Sequence, residues 1–286
     1  SLIDVGLLPG GEPEVAEVLG RVFADEGIRF VKGLVSEARE VGGEIVLTVN
    51  DQELKGDQLL VAVGRTANVN RLDLDRAGVN YSAAGIPVDK YLRTSRSHIF
   101  AVGDCVAGNH QFTHVAGWQA VQAARNALLP LNDAGFTSVV PSTTFTDPEV
   151  AQVGLTEAAA REKLGDVVRV ASWPIDRIDR AVTDHDREGF VKVVYRGKGT
   201  VLGATIVAAR AGEMITEFAL AMKKDLKQKE LANTLHVYPT YSIANKQLAS
   251  DVAVQTVLDS LLGKILLGWV GLKRSERRAD FPHPPQ

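Results

Sequence analysis

Apolar residues recur every three to four positions through Val15, Val18, Leu19, Val22 and Phe23, behind Glu12-Pro13-Glu14. That spacing predicts an amphipathic helix with Gly27 placed as its terminator. The short run "SLIDV" before it reads as a strand, and "IRFVKG" and "EIVLTVND" alternate as strands joined by glycine-rich turns. "DQLLVAVG" (57–64) is continuously apolar up to Gly64 and predicts a strand buried on both faces. "HIFAVGD" (98–104) predicts a second such strand. "THVAGWQAVQAARNALLP" follows with helical periodicity and small residues along one side. Strand, glycine-containing turn and helix compose the α/β unit that places ligands at strand carboxyl ends.

The pattern changes near Leu131 to Val140, a stretch carrying Asn, Asp, Gly and Ser. Beyond it "STTFTDP", "EVAQVGL", "VVRVASWPI", "GFVKVVYRG" and "TVLGATIVA" all read as strands. One helix is predicted after Thr156-Glu157 and another from Glu213 to Met222, with Met214, Ile215, Phe218, Ala219 and Met222 on its apolar face. Strands with segregated helices predict an α+β domain separate from the first. Near the end, "VLDSLLGKILLGWVGLKR" is apolar but broken by Asp259 and Lys264, which fits a packed or amphipathic helix better than a membrane span. There is no internal repeat and no low-complexity segment.

Composition narrows the function classes. The 286 residues are 45% apolar and 23% charged, an ordinary globular balance whose length predicts about two domains. A net charge of −3 gives no basic surface for nucleic acid or an anionic membrane. The single cysteine, Cys105, excludes an internal disulfide framework and an internal dithiol redox pair, and fits a reducing, cytoplasmic compartment. Ser1 to Gly11 lacks the basic start and long apolar run of a signal peptide. The chain does not begin with Met, so its start reads as processed or cut.

Each chemistry-bearing group has a plain reading beside its functional one. Gly103-Asp104 ends a predicted strand, where a carboxylate can accept hydrogen bonds from ligand hydroxyls and the glycine lets a ligand approach; from the dipeptide alone a solvated loop aspartate is the favoured reading. Gly64-Arg65 repeats that arrangement, with a surface arginine as the plain alternative. Cys105 has no second thiol and no obvious base nearby in sequence, so a packing role stands against a nucleophilic one. "LHVYPTYS" (235–242) gathers His236, Tyr238 and Tyr241 around a proline that favours extended backbone at Tyr238. These groups suit proton transfer or substrate orientation, or simple aromatic packing. His110, His114, His185 and His283 lack metal-ligand spacing, and no metal site is predicted.

Five strings in one order, "LLVAVGRTANV", "TSRSHIFAVGDC", "FTDPEVAQVGLTE", "GFVKVVY…VLGATIVAARAGEMI" and "HVYPTYS", resemble the class I pyridine nucleotide-disulfide oxidoreductases. This is the flavoprotein family of dihydrolipoyl dehydrogenase, glutathione reductase and mercuric reductase, and the nearest look is to mercuric reductase-like members. The resemblance runs from about Leu2 to Ala249. It implies an α/β nucleotide-binding portion, made of partial FAD- and NAD(P)-binding domains, followed by an α+β dimerisation domain. Residues 1–80 resemble the last part of the NAD(P) domain and 81–131 the returning FAD segment. Residues 139–250 resemble the interface domain that builds a homodimer, and 251–286 form a C-terminal helix and tail. On the same pattern Asp104, after Gly103, matches the acid that holds the ribityl chain of FAD. Gln111, Phe112, Thr113 and His114 match the stretch whose helix N-terminus faces the flavin pyrimidine, an electron-rich edge suited to N–H donors. Gly64 matches the "GR" glycine near the nicotinamide nucleotide.

The departures count as much. The family's two glycine-rich dinucleotide fingerprints and its CxxxxC disulfide are absent from the chain, so it looks like the C-terminal part of a longer enzyme or a truncated relative. Tyr238 stands where the family has its His base, and Ile243 where it has the Glu that orients that base. With an ordinary pKa near 10, tyrosine is a poorer thiol base at neutral pH. Mercuric reductase-like members carry a vicinal cysteine pair near their C-terminus, and "ADFPHPPQ" has none. The resemblance implies an FAD-dependent NAD(P)H oxidoreductase passing electrons from nicotinamide through flavin to a small-molecule acceptor. Tyr238 and His236 are then the catalytic candidates, and the nucleotide fingerprint that would choose NADH or NADPH lies outside the chain. The alternative is a non-catalytic dimerisation or interaction module derived from that family.

Overall fold

The computed structural model describes residues 1–130, 132–260 and 265. It divides into two compact units, Ser1–Ser142 and Thr143–Gln286.

In the first unit, strand β1 (Leu2–Asp4) pairs in parallel with β2 (Phe30–Lys32), Leu2 opposite Phe30 and Asp4 opposite Lys32. Helix α1 (Pro13–Asp25) connects them. Pro13 sits in its first turn, where a missing N–H costs nothing. Val15, Val18, Leu19 and Phe23 form its buried face as the periodicity predicts. A three-stranded antiparallel sheet follows: β3 (Val35–Val41), β4 (Glu44–Val49) and β5 (Gln52–Gly56). Only β4 carries the predicted alternation. Its neighbours "VSEAREV" and "QELKG" are mostly exposed and polar, so they lack the apolar rhythm that reveals a strand. A short helix α2 (Leu74–Ala77) and the long helix α3 (Thr113–Leu128) complete the unit. Val69, Val79, Ile86, Ala101 and Val106 make a small core before α3.

Two expectations are corrected here. Residues 57–64 form no strand: Leu60 is 89% exposed and Val63 93%. Residues 98–104 form no strand either. They carry a single-residue bridge, Arg93 with Phe100, beside another between Ile86 and Val106, before one 3-10 turn at Gly103–Cys105. A buried strand needs ladder partners for its N–H and C=O groups on both sides. Among the described residues no strand receives either run, so an apolar sequence alone does not make one.

The second unit realises the α+β prediction. Its five-stranded sheet has the order β6-β7-β10-β9-β8, from β6 (Ser142–Thr144), β7 (Glu149–Gly154), β8 (Val168–Pro174), β9 (Phe190–Arg196) and β10 (Thr200–Ala208). The central pair β9 and β10 is antiparallel and almost wholly buried, which explains their largely apolar character; the exception in β9, Lys192, is buried and pairs with Glu157 at 3.0 Å. Helix α4 (Glu157–Leu164) begins where predicted. The Thr156 hydroxyl accepts from the Ala159 N–H at 3.3 Å, and Ala160 packs with Val168 and Val194. A short helix α5 (Asp179–Asp184) precedes β9. Helix α6 (Ala211–Lys223) buries Ala211, Met214, Ile215, Phe218 and Ala221, with Ala219 and Met222 at the half-buried margins of the predicted face.

Helix α7 (Gln228–Asn233) leads to α8 (Ile243–Asp259), which starts well before the apolar stretch predicted as a C-terminal helix. Apart from residue 265, positions 261–286 of that helix and tail lie outside the described residues. No described helix is long and apolar enough to cross a membrane.

Candidate functional site

The first unit holds the segment that the resemblance assigns to flavin. Gly103 opens the 3-10 turn with φ +71°, and a Cβ there would lie 2.6 Å from the Ala116 methyl. Only glycine lets this turn close onto α3. The turn is then pinned from beneath. The Gly103 N–H donates to Gln119 Oε1 at 2.8 Å, and Asn109 Nδ2 donates to the Gly103 carbonyl at 3.0 Å. Gln119, 1% exposed, in turn donates to the Gly135 carbonyl at 3.1 Å and to Asn109 Oδ1 at 3.3 Å. This network leaves the Asp104 carboxylate exposed and without a partner among the described residues. The Cys105 thiol points the other way, toward the Val102 carbonyl at 3.3 Å, and packs on the small core.

Gln119 and Asn109 lie outside the sequence motifs. Gln119 had a signal: it shares a helical face with Val115, Ala123 and Asn126, all buried. A glutamine on an apolar stripe marks a buried polar contact.

Gln111 to His114 lead into α3 directly after this turn. His110, Phe112 and His114 stack with ring centroids 6.0 and 5.2 Å apart and near-parallel planes. His114 Nε2 lies 2.9 Å from the Pro141 carbonyl. Phe112 caps the helix through its carbonyl, which accepts from Val115 and Ala116 N–H at 3.0 Å each. The preceding N–H groups, those of Thr113 and His114, have no partner among the described residues and sit at the positive end of a 16-residue helix. A free carboxylate and two free N–H groups near one helix end fit a ligand with hydroxyls and an electron-rich edge. The donor set therefore fits the flavin and ribityl portion of FAD. Gly64 is placed differently: it lies in the exposed 57–64 segment, and nothing comes within 4 Å of a Cβ built on it.

The second unit brings His236, Tyr238, Pro239 and Thr240 of the "HVYPTYS" stretch to one open cleft of about 300 Å³, faced by residues 177–180 and the start of α8, while Tyr241 lies outside its lining. Tyr238, 66% exposed, precedes a cis proline and donates its hydroxyl to Asp179 Oδ2 at 2.6 Å. That hydrogen bond and the carboxylate charge raise the Tyr238 pKa above the usual phenol value. Tyr241 is buried and its one hydroxyl proton is shared between Asp184 and Asp186, at 3.3 Å from each; burial first, then those two charges, push its pKa up to about 12.

The His236 side chain is only 7% exposed. Its Nε2 lies 2.8 Å from Glu217 Oε1 and its Nδ1 3.0 Å from the Thr234 carbonyl, so both ring nitrogens are engaged. Asn245 Nδ2 donates to Glu217 Oε2 at 2.8 Å and to the Met214 carbonyl at 3.1 Å. His236 thus ties the loop that carries Tyr238 to α6 and α8. Asp179 and Glu217 lie 59 and 19 residues from the groups they hold, and no local pattern in the sequence marks them or Asn245.

Residues 140–249 match the pyridine nucleotide-disulphide oxidoreductase dimerisation domain, and residues 4–120 match the pyridine nucleotide-disulphide oxidoreductase domain. A mercuric reductase of Bacillus cereus is 37% identical over 241 residues, covering 82% of this chain and 38% of the relative. A dihydrolipoyl dehydrogenase of Chlamydia muridarum is 34% identical over 237 residues, covering 82% and 50%. The chain therefore spans half or less of the length of these two relatives. Among solved structures, LpdA from Mycobacterium tuberculosis superposes with a TM-score of 0.77 at 30% identity, over 85% of this chain and 54% of that one. The HOCl-induced flavoprotein disulfide reductase RclA from Escherichia coli gives 0.79 at 25% identity, over 87% and 58%. Members of this group use FAD and NAD(P)H. Two domain matches in family order, with the fold to go with them, place the chain in the class I pyridine nucleotide-disulfide oxidoreductase family.

Proposed function

We propose that the protein works as an FAD-dependent NAD(P)H oxidoreductase that passes electrons from nicotinamide through flavin to a small-molecule acceptor. Residues 1–80 contribute the end of the NAD(P) domain, with Gly64 near the nicotinamide nucleotide, and 81–131 the returning FAD segment. Residues 139–250 build a homodimer, and the lone thiol suits a reducing, cytoplasmic setting. The observation that carries this reading is the Asp104 carboxylate, held free by the Gly103–Gln119–Asn109 network beside the open N–H groups of α3. Asp104 would accept from ribityl hydroxyls, and the Thr113 and His114 N–H groups would face the flavin pyrimidine. Bound flavin supplies two-electron transfer between nicotinamide and acceptor.

Tyr238 takes the substrate side with a chemistry unlike that of a histidine base. With its pKa raised by the hydrogen bond it gives to Asp179, the phenol keeps its proton at neutral pH and acts as an anchor through its ring and hydroxyl oxygen rather than as a thiol base. His236 positions it. A second reading, a non-catalytic dimerisation module, draws on the contrast between the closed core of the second unit and the exposed 57–64 run of the first.

Titrating FAD with the chain, followed by flavin fluorescence, separates the two. Saturable binding that Asp104→Ala weakens about tenfold or more, the loss of about 1.4 kcal/mol, is the expected result. No binding by the unaltered chain leaves the dimerisation module.

A further inference from the structure

The cleft beside Tyr238 has more positive charge than its own carboxylate can balance. Arg177, Arg180 and Lys246 line it with a single acid, Asp179. Asp179 already receives the Tyr238 hydroxyl at 2.6 Å. Arg180 is held by Asp184, its Nε 2.7 Å from Oδ2. His236, at the same wall, is held by Glu217. Arg177 and Lys246 remain, with no carboxylate partner among the described residues. The Arg177 guanidinium lies 5.9 Å from the Trp173 ring centroid, a contact that orients its planar face without neutralising it.

From this we infer that the cleft is a carboxylate-binding site in which Arg177 and Lys246 hold the anionic group of the electron acceptor. The assignment of the ligand as acceptor rests on the oxidoreductase reading; the site itself rests on the cleft. Arg177 offers the two-pronged donor that matches a carboxylate, and Lys246 offers a point charge from the first turn of α8. The backbone adds field but few donors. The Ile243, Ala244 and Asn245 N–H groups are bonded to Thr240, Tyr241 and Ser242 carbonyls at 3.3, 3.0 and 3.1 Å. Recognition therefore falls to side chains, and removing them removes it. Pro239 and Ile243 supply apolar wall for the body of a small ligand, and about 300 Å³ is at the lower end of small-molecule sites.

Calorimetric titration of the whole chain at low salt, with succinate as probe and neutral succinamide as control, tests the site. Succinate is expected to bind saturably and succinamide not at all. Arg177→Gln and Lys246→Gln are each expected to weaken succinate about tenfold or more, with an unchanged melting curve, because neither side chain holds an ion pair in the fold. Should Arg177→Gln disturb the Trp173 contact and lower the melting temperature, Lys246→Gln alone decides. No succinate binding by the unaltered chain, equal binding of succinamide, or full affinity in Lys246→Gln would overturn the proposal. Loss of FAD binding with succinate binding intact removes the oxidoreductase reading and leaves the carboxylate site standing. FAD binding without succinate binding removes the site alone.

Discussion

Tyr241 shows how one hydroxyl couples this fold to pH. It is 6% exposed, faces Asp184 and Asp186 at 3.3 Å each, and has its pKa pushed up to about 12 by burial and those charges. In the unfolded chain the same phenol titrates near 10. Below pH 10 it is neutral in both states and its contribution is fully present. Between about pH 10 and 12 the unfolded chain loses the proton while the folded one keeps it, so stability falls as pH rises. Tyr241→Phe is therefore expected to melt lower than the parent at pH 8, through the lost shared hydrogen bond, and to show a shallower fall in melting temperature above pH 10. Parallel slopes in the two proteins would mean that Tyr241 is not the group responsible. Tyr238 and Tyr241 stand out in the sequence because a proline sits among closely spaced aromatics. Their partners do not, since Asp179 is 59 residues from Tyr238, and Asp184 and Asp186 are 57 and 55 residues from Tyr241. The side chain was legible; its chemistry depended on a contact that only the fold creates.

At the scale of elements the same division recurs. The strands β7 to β10 and helices α4 and α6 were legible because each carries a complete local code: an unbroken or alternating apolar run, a Thr cap, a 3.6-residue stripe. Helices α5 and α7 have six residues each, too few for a periodic pattern to emerge, and α5 is four-sixths polar. The segments 57–64 and 98–104 depart in the opposite sense: their apolar runs carry a strand-like local code, but no ladder partner among the described residues completes it. Where the sheet is complete, its junctions tolerate little. Gly189 enters β9 with φ +122°, and a Cβ there would lie 1.9 Å from the Val207 carbonyl oxygen of β10. An alanine must therefore both adopt strained backbone and push the two central strands apart. Gly189→Ala is expected to destabilise the second unit by about 3 kcal/mol or more, read from urea denaturation followed by Tyr and Trp fluorescence. A loss below about 1 kcal/mol would show that the β9–β10 entry can shift to accommodate a methyl group.

Over the whole chain, the two units differ in how far their apolar surface is enclosed. In the second, Val191, Val193, Ile206, Val207 and Phe218 are all fully or almost fully buried between sheet and helices. In the first, Leu60, Val61 and Val63 are 89%, 67% and 93% exposed in consecutive or near-consecutive positions. Local opening free energy follows the number of buried contacts and shielded hydrogen bonds around an amide. Hydrogen exchange followed by mass spectrometry should then find β9 and β10 protected for the longest times, and residues 57–64 exchanged at the earliest time point. Exposed apolar runs of this kind also drive association. Leu60→Lys with Val63→Lys is expected to raise solubility while leaving the protection of β9 and β10 unchanged, since neither residue packs in a core. Protection of 57–64 equal to that of β9 would instead require a covering surface for that run, and the double lysine variant would then lose it. The two measurements together decide whether this apolar run is open surface or half of an interface.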